Sequence, residues 1–169
     1  MPDWLTYVLS AWVACELAAL VGLRGARRYV GVAAVGSVLP DLVKAFFLLK
    51  TYGHVDLVAF SVPLATPLGA ILVAGFASSF FDSSELRSVF AYMVIGVVIH
   101  IAWDFTLHPY GGGQLMLFPL SFEQSSLGWI WSDSVLPLAI IGIPAAMLLS
   151  IRLAHGRLPG PRRHGHRGL

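Results

Sequence analysis

Charged residues are scarce in this chain, and cysteine is almost absent. Lys, Arg, Asp and Glu together make up 12% of the 169 residues, whereas 57% are hydrophobic. The mean hydropathy is +0.76. So little charge in so apolar a chain excludes an ordinary soluble domain and predicts an integral membrane protein. The single Cys15 lies in an apolar stretch, which excludes a disulfide framework and a CxxC metal knuckle.

Other absences narrow the function classes. The opening MPDWLTYVLSAW lacks the positively charged region of a cleavable signal, so we expect the first apolar stretch to be kept as an anchor. The chain shows no internal repeat, which argues against an alternating-access transporter. No aromatic residue interleaves with the arginines of the C-terminal tail, and no ordered domain surrounds them, so we expect no nucleic-acid partner.

About five apolar stretches are long enough to cross a bilayer as helices. They cover about residues 4–23, 29–50 with an interruption at Pro40, 61–81, 89–107 and 135–153. Each approaches the roughly 20 residues that cross the hydrocarbon core, where the backbone must satisfy its own hydrogen bonds. The expected fold is an all-α bundle of about five transmembrane helices. It forms one domain over residues 1–154, and a disordered basic tail follows over residues 155–169.

Basic residues set the expected orientation. Arg24, Arg27 and Arg28 follow the first stretch, Arg87 precedes the fourth, and further arginines begin with Arg152 and continue into the tail. If the helices alternate, these groups lie on one side, and the positive-inside rule makes that side the cytoplasm. We therefore expect a multi-pass protein of the cytoplasmic membrane, N-terminus outside and C-terminus inside. Its C-terminal arginines are expected to contact anionic inner-leaflet lipids.

Three ionisable residues inside the apolar stretches mark a candidate site. His100 and Asp104 lie one helical turn apart in HIAWD, and Asp41 follows Pro40. An acid at mid-membrane costs about 2.5–3.5 kcal/mol on insertion scales, so such groups usually have a function. Asp41 and His100 are both expected roughly 17–18 Å from the inner surface, at 1.5 Å per residue. Asp104 and then His108 continue one helix face outward, so we expect a cavity that opens outward.

The motifs resemble those of a known family. GSVLPDLV, PLATPLGA and HIAWDFTLHPYGGGQLMLFPLS follow the order and spacing of the YdjM-type (LexA-regulated type) family of membrane-bound predicted metal-dependent hydrolases. The resemblance covers about residues 2–122. It implies that Asp41, His100 and Asp104 are metal ligands, with zinc or manganese as the metal. HxxxD is also similar to the metal motif of zinc phospholipase C and P1-type nucleases, which implies a lipid or phosphoester substrate.

The chain departs from the family pattern at two positions. Tyr7 and Ala65 stand where the family has histidines, in the first stretch and at the start of the third. The resemblance therefore implies a five-member metal site that has lost two members. Three protein ligands and an open position suffice for one catalytic zinc, whereas a dinuclear site would be hard to build. Tyr7 could still hydrogen-bond a ligand.

Plainer interpretations stay open for the same residues. His100 and Asp104 could form a structural hydrogen bond, and Asp41 could cap the backbone that the preceding proline frees. His108 could be a cation at a helix end. For Glu16, an acid deep in the first stretch, we expect a Ser, Thr or Tyr partner inside the bundle, with a proton pathway as the alternative.

Residues 108–134 contain no Lys or Arg and are too polar and glycine-rich to span a membrane. We expect them to form an interfacial segment between the fourth and fifth helices. They could act as a lid, with Gln114 or Ser121 as donors close to the candidate ligands. Alternatively, they could only seal the bundle.

Two functions from different classes remain. The first is a membrane-embedded hydrolase whose reduced metal site opens to the outer leaflet and acts on a lipid or phosphoester through a metal-bound water. Whether such a protein is an active enzyme is left open. The second is a non-catalytic membrane subunit or scaffold that retains the hydrolase fold. Its partners would be membrane lipids, and a homo- or hetero-oligomer is compatible with either function.

Overall fold

The computed structural model describes residues 4–23, 25–54, 63–108, 113–131 and 133–156, and this part of the chain is an all-α protein. The helices α1 to α6 and two short strands are bounded as follows: α1 Trp4–Leu20, α2 Val30–Val38, α3 Leu42–Gly53, α4 Pro67–Ser78, α5 Leu86–Thr106, β1 Leu107–His108, β2 Ile130–Trp131 and α6 Leu136–Gly156. The strands β1 and β2 pair in parallel.

Pro40 interrupts the second apolar stretch, as predicted. Helix α2 ends at Val38, and a 3-10 turn, Leu39–Asp41, leads directly into α3. Proline has no N–H to donate, so the regular helical ladder cannot pass through it, and the chain tightens into a turn. Asp41, at the end of this turn, is only 5% exposed.

Helix α5 lies at the centre and packs against α1, α2 and α4. Two glycines make its contact with α2 unusually close. A Cβ added at Gly96 would lie 2.1 Å from the carbonyl oxygen of Ala33, and one at Gly36 would lie 2.2 Å from that of Met93. Only residues without a Cβ let the two backbones approach this closely. This contact holds His100 against the end of α2.

The observed helices have only approximately the lengths of the predicted apolar stretches. Helices α5 and α6 are long and apolar enough to cross a membrane by length and composition, whereas α1, α4 and the combined segment Val30–Asp41 are shorter apolar helices. The third predicted stretch, residues 61–81, contains α4, which Thr66 caps and in which Pro67 fits the first helical turn. Residues 61 and 62 of this stretch lie outside the described residues.

The predicted end of the domain at residue 154 falls inside α6, which continues to Gly156. Residues 157–169, which include most of the expected basic tail, lie outside the described residues. Most of the membrane-length window of α6 is exposed, since only 11% of it is buried. Its contacts in the described part of the fold are made mainly with α1.

The segment between α5 and α6 folds back over the end of α5. Leu127 and Trp129 donate backbone hydrogen bonds to the carbonyl oxygens of Phe105 and Thr106. Gly113 lies so close to the backbone of Ser125 that an added Cβ would meet it at 2.6 Å. The described residues 113–131 of the segment between the last two helices contain no α-helix, and they lie beside the residues of the candidate site.

Candidate functional site

Three helices bring the predicted polar residues together. His100 and Asp104 project from α5, Asp41 comes from the 3-10 turn, and Tyr7 comes from α1. All four side chains are buried, with Tyr7 at 0% exposure and Asp104, the most exposed, at 8%. The expected convergence of Asp41, His100 and Asp104 is therefore observed. We refer to these four residues as the polar cluster.

The His100 ring sits between the two carboxylates. Its Nδ1 lies 2.8 Å from the carbonyl oxygen of Ser37 and must carry a proton, because a carbonyl can only accept. Its Nε2 then points toward Asp104, with Oδ2 at 3.2 Å, and toward Asp41, with Oδ1 at 3.8 Å. Nε2 of His100 therefore faces one oxygen of each carboxylate.

Asp104 receives donors from two distant parts of the chain. The hydroxyl of Tyr7 donates to its Oδ1, and Nε2 of Gln114 donates to its Oδ2 over 2.9 Å. The Tyr7 ring also stacks on the His100 ring, with centroids 4.1 Å apart. Both sequence expectations hold here, since Tyr7 binds a candidate ligand and Gln114 reaches the site. Ser121 instead accepts a bond from the backbone of Glu123.

Asp41 is held by donors that the sequence did not single out. Oδ2 of Asp41 accepts from the indole Nε1 of Trp4 at 2.8 Å and from Nζ of Lys44 at 2.5 Å. The alternative that Asp41 caps the freed backbone is wrong, because its side chain makes no capping bond at the start of α3. The carboxylate points into the bundle toward His100 instead.

Lys44, Trp4 and Ser37 are the site residues that sequence reasoning missed. Lys44 gave a weak signal, since it follows Asp41 by three positions on one helix face, where opposite charges often pair. Trp4 and Ser37 gave none. Their contacts with the cluster depend on how α1 and α2 pack against their neighbours, and Ser37 contributes only a backbone carbonyl.

The prediction that His108 continues the stripe of His100 and Asp104 is wrong. Helix α5 ends at Thr106, and Leu107 is already extended, with ψ 154°. The residue before a proline avoids the helical region, so the chain leaves the helix ahead of Pro109. His108 lies in β1, where it is exposed and its ring stacks on Trp131 at a centroid distance of 4.7 Å.

The expected partners of Glu16 are also wrong. Glu16 is 4% exposed, but it pairs with two arginines rather than with a hydroxyl group. Its Oε2 lies 3.0 Å from Nε of Arg27, and its Oε1 lies 3.0 Å from Nη1 of Arg152. The buried carboxylate is thus neutralised at the end of the bundle opposite to the polar cluster, where it links α1 to α6.

The donor set does not present an open metal site. Within the described ranges, no group of three or more His, Cys, Asp or Glu side chains is arranged to hold a metal ion. In the same residues, Lys44 and Trp4 donate to one oxygen of Asp41, while Tyr7 and Gln114 each donate to one oxygen of Asp104. Ala65, at the second departure from the family pattern, offers no ligating atom. The metal site stays a prediction from the resemblance.

The cluster is satisfied as it stands. In the part of the chain that the structure describes, every buried side-chain nitrogen or oxygen has a hydrogen-bond partner. A buried polar network of this kind stabilises a structure only when all its members are paired.

Comparisons with protein-family models, curated proteins and solved structures gave no match to this chain.

Proposed function

We propose that the protein is an integral membrane protein of about five spans. The distribution of side chains supports this proposal, because large apolar residues cover the outside while ionisable ones lie inside. Leu72, Phe76, Val98, Ile143 and Met147 are each more than half exposed, whereas Glu16, Asp41, His100 and Asp104 are buried. Such an arrangement suits a hydrocarbon surrounding, where the backbone of each helix is satisfied internally.

The charged end of the bundle supports an orientation with the N-terminus outside. Arg28 pairs with Glu85 at the start of α5, and Arg27 and Arg152 meet at Glu16. The basic residues before α2, at α5 and at the end of α6 therefore share one end. By the positive-inside rule this end faces the cytoplasm, so the polar cluster lies toward the outer side of the cytoplasmic membrane.

In this proposal the protein is a non-catalytic membrane subunit or scaffold. Its polar cluster holds no metal and joins the helices by hydrogen bonds and ion pairs. One observation carries the proposal: cationic and neutral donors of the protein bind one oxygen of Asp41 and both oxygens of Asp104. Lys44 supplies a positive charge to Asp41, and the hydroxyl of Tyr7 donates a hydrogen bond to Asp104 where the family pattern would place a ligating imidazole. Buried charges are retained in proteins when they are paired and hydrogen-bonded in this way.

A metal-dependent hydrolase with a reduced site is the second candidate. The orientation of His100 favours it, because Nδ1 is fixed by the Ser37 carbonyl and Nε2 faces two carboxylates. Ligating histidines in metalloproteins are commonly held by a backbone carbonyl through the other ring nitrogen. The two candidates differ in whether a divalent cation can bind between Nε2 of His100 and the carboxylates of Asp41 and Asp104.

Metal analysis of the detergent-purified protein separates the two. The protein is exposed to zinc or manganese, desalted and compared with His100→Ala and with His54→Asn, which removes an exposed imidazole at the end of α3. If the wild-type protein holds no more metal than His100→Ala, the result supports the non-catalytic proposal. Near-stoichiometric metal in wild type and His54→Asn, lost in His100→Ala, overturns it and justifies a screen of phosphodiester and phospholipid substrates.

A further inference from the structure

An apolar groove lies between α1, α2 and α6, away from the polar cluster. Its volume is about 560 Å³, and its walls include Trp12 of α1, Ala34 of α2 and Gly142 of α6. The lining is apolar except at one end, where Arg152 closes it. Neither of the functions considered above uses this groove.

A second groove continues the first along α1 and α2. It measures about 360 Å³, shares Val8 and Ala34 with the first, and reaches Leu42 beyond the 3-10 turn. From Val30 to Leu42 the combined groove follows roughly 18 Å of helix, at 1.5 Å per residue. One leaflet of a bilayer core is about 15 Å thick, half of the full core. The groove is therefore about as long as one acyl chain in its leaflet.

The polar end of the groove carries a net positive charge. Arg152 and Arg27 both contact Glu16, and one carboxylate balances only one of the two guanidinium groups. Their side chains are 55% and 53% exposed, so each still offers donors to an outside group. Guanidinium groups bind phosphate oxygens well because their planar N–H groups match the geometry of the anion.

We propose that this groove binds one anionic phospholipid, with an acyl chain along α1 and α2 and the phosphate at Arg152 and Arg27. The inference rests on the proposed membrane location. An apolar channel of leaflet length that ends in paired arginines complements both parts of such a lipid. A free phosphate would use the arginines alone, and a zwitterionic lipid would gain less from their net charge.

Native mass spectrometry of the detergent-purified full chain tests the proposal. The probes are phosphatidylglycerol, phosphatidylcholine and the chain-free headgroup glycerophosphoglycerol. We expect one bound phosphatidylglycerol, about tenfold weaker binding of phosphatidylcholine, and none of the headgroup. Equal binding of the two lipids, or binding of the headgroup alone, would overturn the proposal.

Two matched glycine variants test the groove itself. A Cβ at Gly142 meets nothing within 4 Å, so Gly142→Leu begins in open space and extends a side chain into the groove. Gly31 is equally open but is not part of the groove lining. We expect Gly142→Leu to lose the bound lipid and Gly31→Leu to keep it. The assignment would be contradicted if Gly142→Leu kept the bound lipid. It would also be contradicted if the groove held a second copy of the chain, so that Gly142→Leu lost a dimer and not a lipid.

Arg152→Gln tests the role of the net positive charge at the end of the groove, because it leaves Glu16 paired with Arg27 alone. Arg87→Gln, which removes an exposed arginine elsewhere, is the control. Arg152→Gln should abolish the preference for the anionic lipid, and Arg87→Gln should preserve it.

Carbonate extraction of cell membranes is run in parallel. A protein released by carbonate would contradict the membrane proposal, whereas a protein that stays in the membrane without lipid preference would contradict only the lipid site.

Discussion

Tyr7 of α1 stacks on the ring of His100 and donates its hydroxyl to Asp104, so one side chain holds both members of the HxxxD motif. The stacked rings are 4.1 Å apart at an angle of 23°. At this position the resemblance implied a lost metal ligand. In the structure, Tyr7 joins α1 to α5 by packing and by a hydrogen bond between buried groups.

Tyr7→Phe should destabilise the protein while preserving the stacking. The change removes the hydroxyl donor from a buried carboxylate, and loss of such a partner costs about 1–3 kcal/mol. Thermal unfolding in detergent measures the effect. Tyr29→Phe serves as the control, because the half-buried Tyr29 also stacks on an aromatic ring, that of Tyr92. Equal effects of the two substitutions would show that the hydroxyl of Tyr7 does not support Asp104.

Restoring the family histidines should create metal binding if the cluster is a reduced metal site. In Tyr7→His combined with Ala65→His, an imidazole replaces the phenol beside His100, and a second one precedes the start of α4. We expect about one zinc per chain in this variant, against background in wild type. Metal analysis after desalting gives the answer. A double variant that folds and stays free of zinc would argue against the family resemblance.

Asp41 and Lys44 should be energetically coupled. Lys44→Met leaves the buried carboxylate of Asp41 without its ammonium partner, and Asp41→Asn leaves Lys44 without its carboxylate. The double variant should therefore lose less stability than the sum of the single variants, by about 0.5–3 kcal/mol. Unfolding curves of the four proteins give this value. Strictly additive losses would mean that the pair contributes nothing to the cluster.

Gly96→Ala should weaken the contact between α2 and α5. The new methyl group would lie 2.1 Å from the carbonyl oxygen of Ala33, so the backbones must separate, at a cost of about 1–3 kcal/mol. Gly31→Ala, where the added carbon meets nothing within 4 Å, should cause no loss. The two unfolding temperatures are compared directly. An unchanged temperature for Gly96→Ala would contradict the close helix contact.

The sequence predicted the local features of the site correctly because they depend on near neighbours in the chain. Pro40 lacks an N–H wherever it stands in a helix, so the break between α2 and α3 could be located. The spacing of His100 and Asp104 placed them on one face of α5. The composition of the segment after α5 indicated a lid with Gln114 as a donor, and Gln114 does donate to Asp104.

By itself, then, the amino-acid sequence determined an apolar all-α chain, its break at Pro40 and the helix face that carries His100 and Asp104. Tertiary structure decided which groups neutralise the buried charges: Lys44 and Trp4 for Asp41, and Arg27 with Arg152 for Glu16. The reason is physical. Helical periodicity fixes neighbours three or four residues apart, whereas partners such as Glu16 and Arg152 meet only after whole helices have packed.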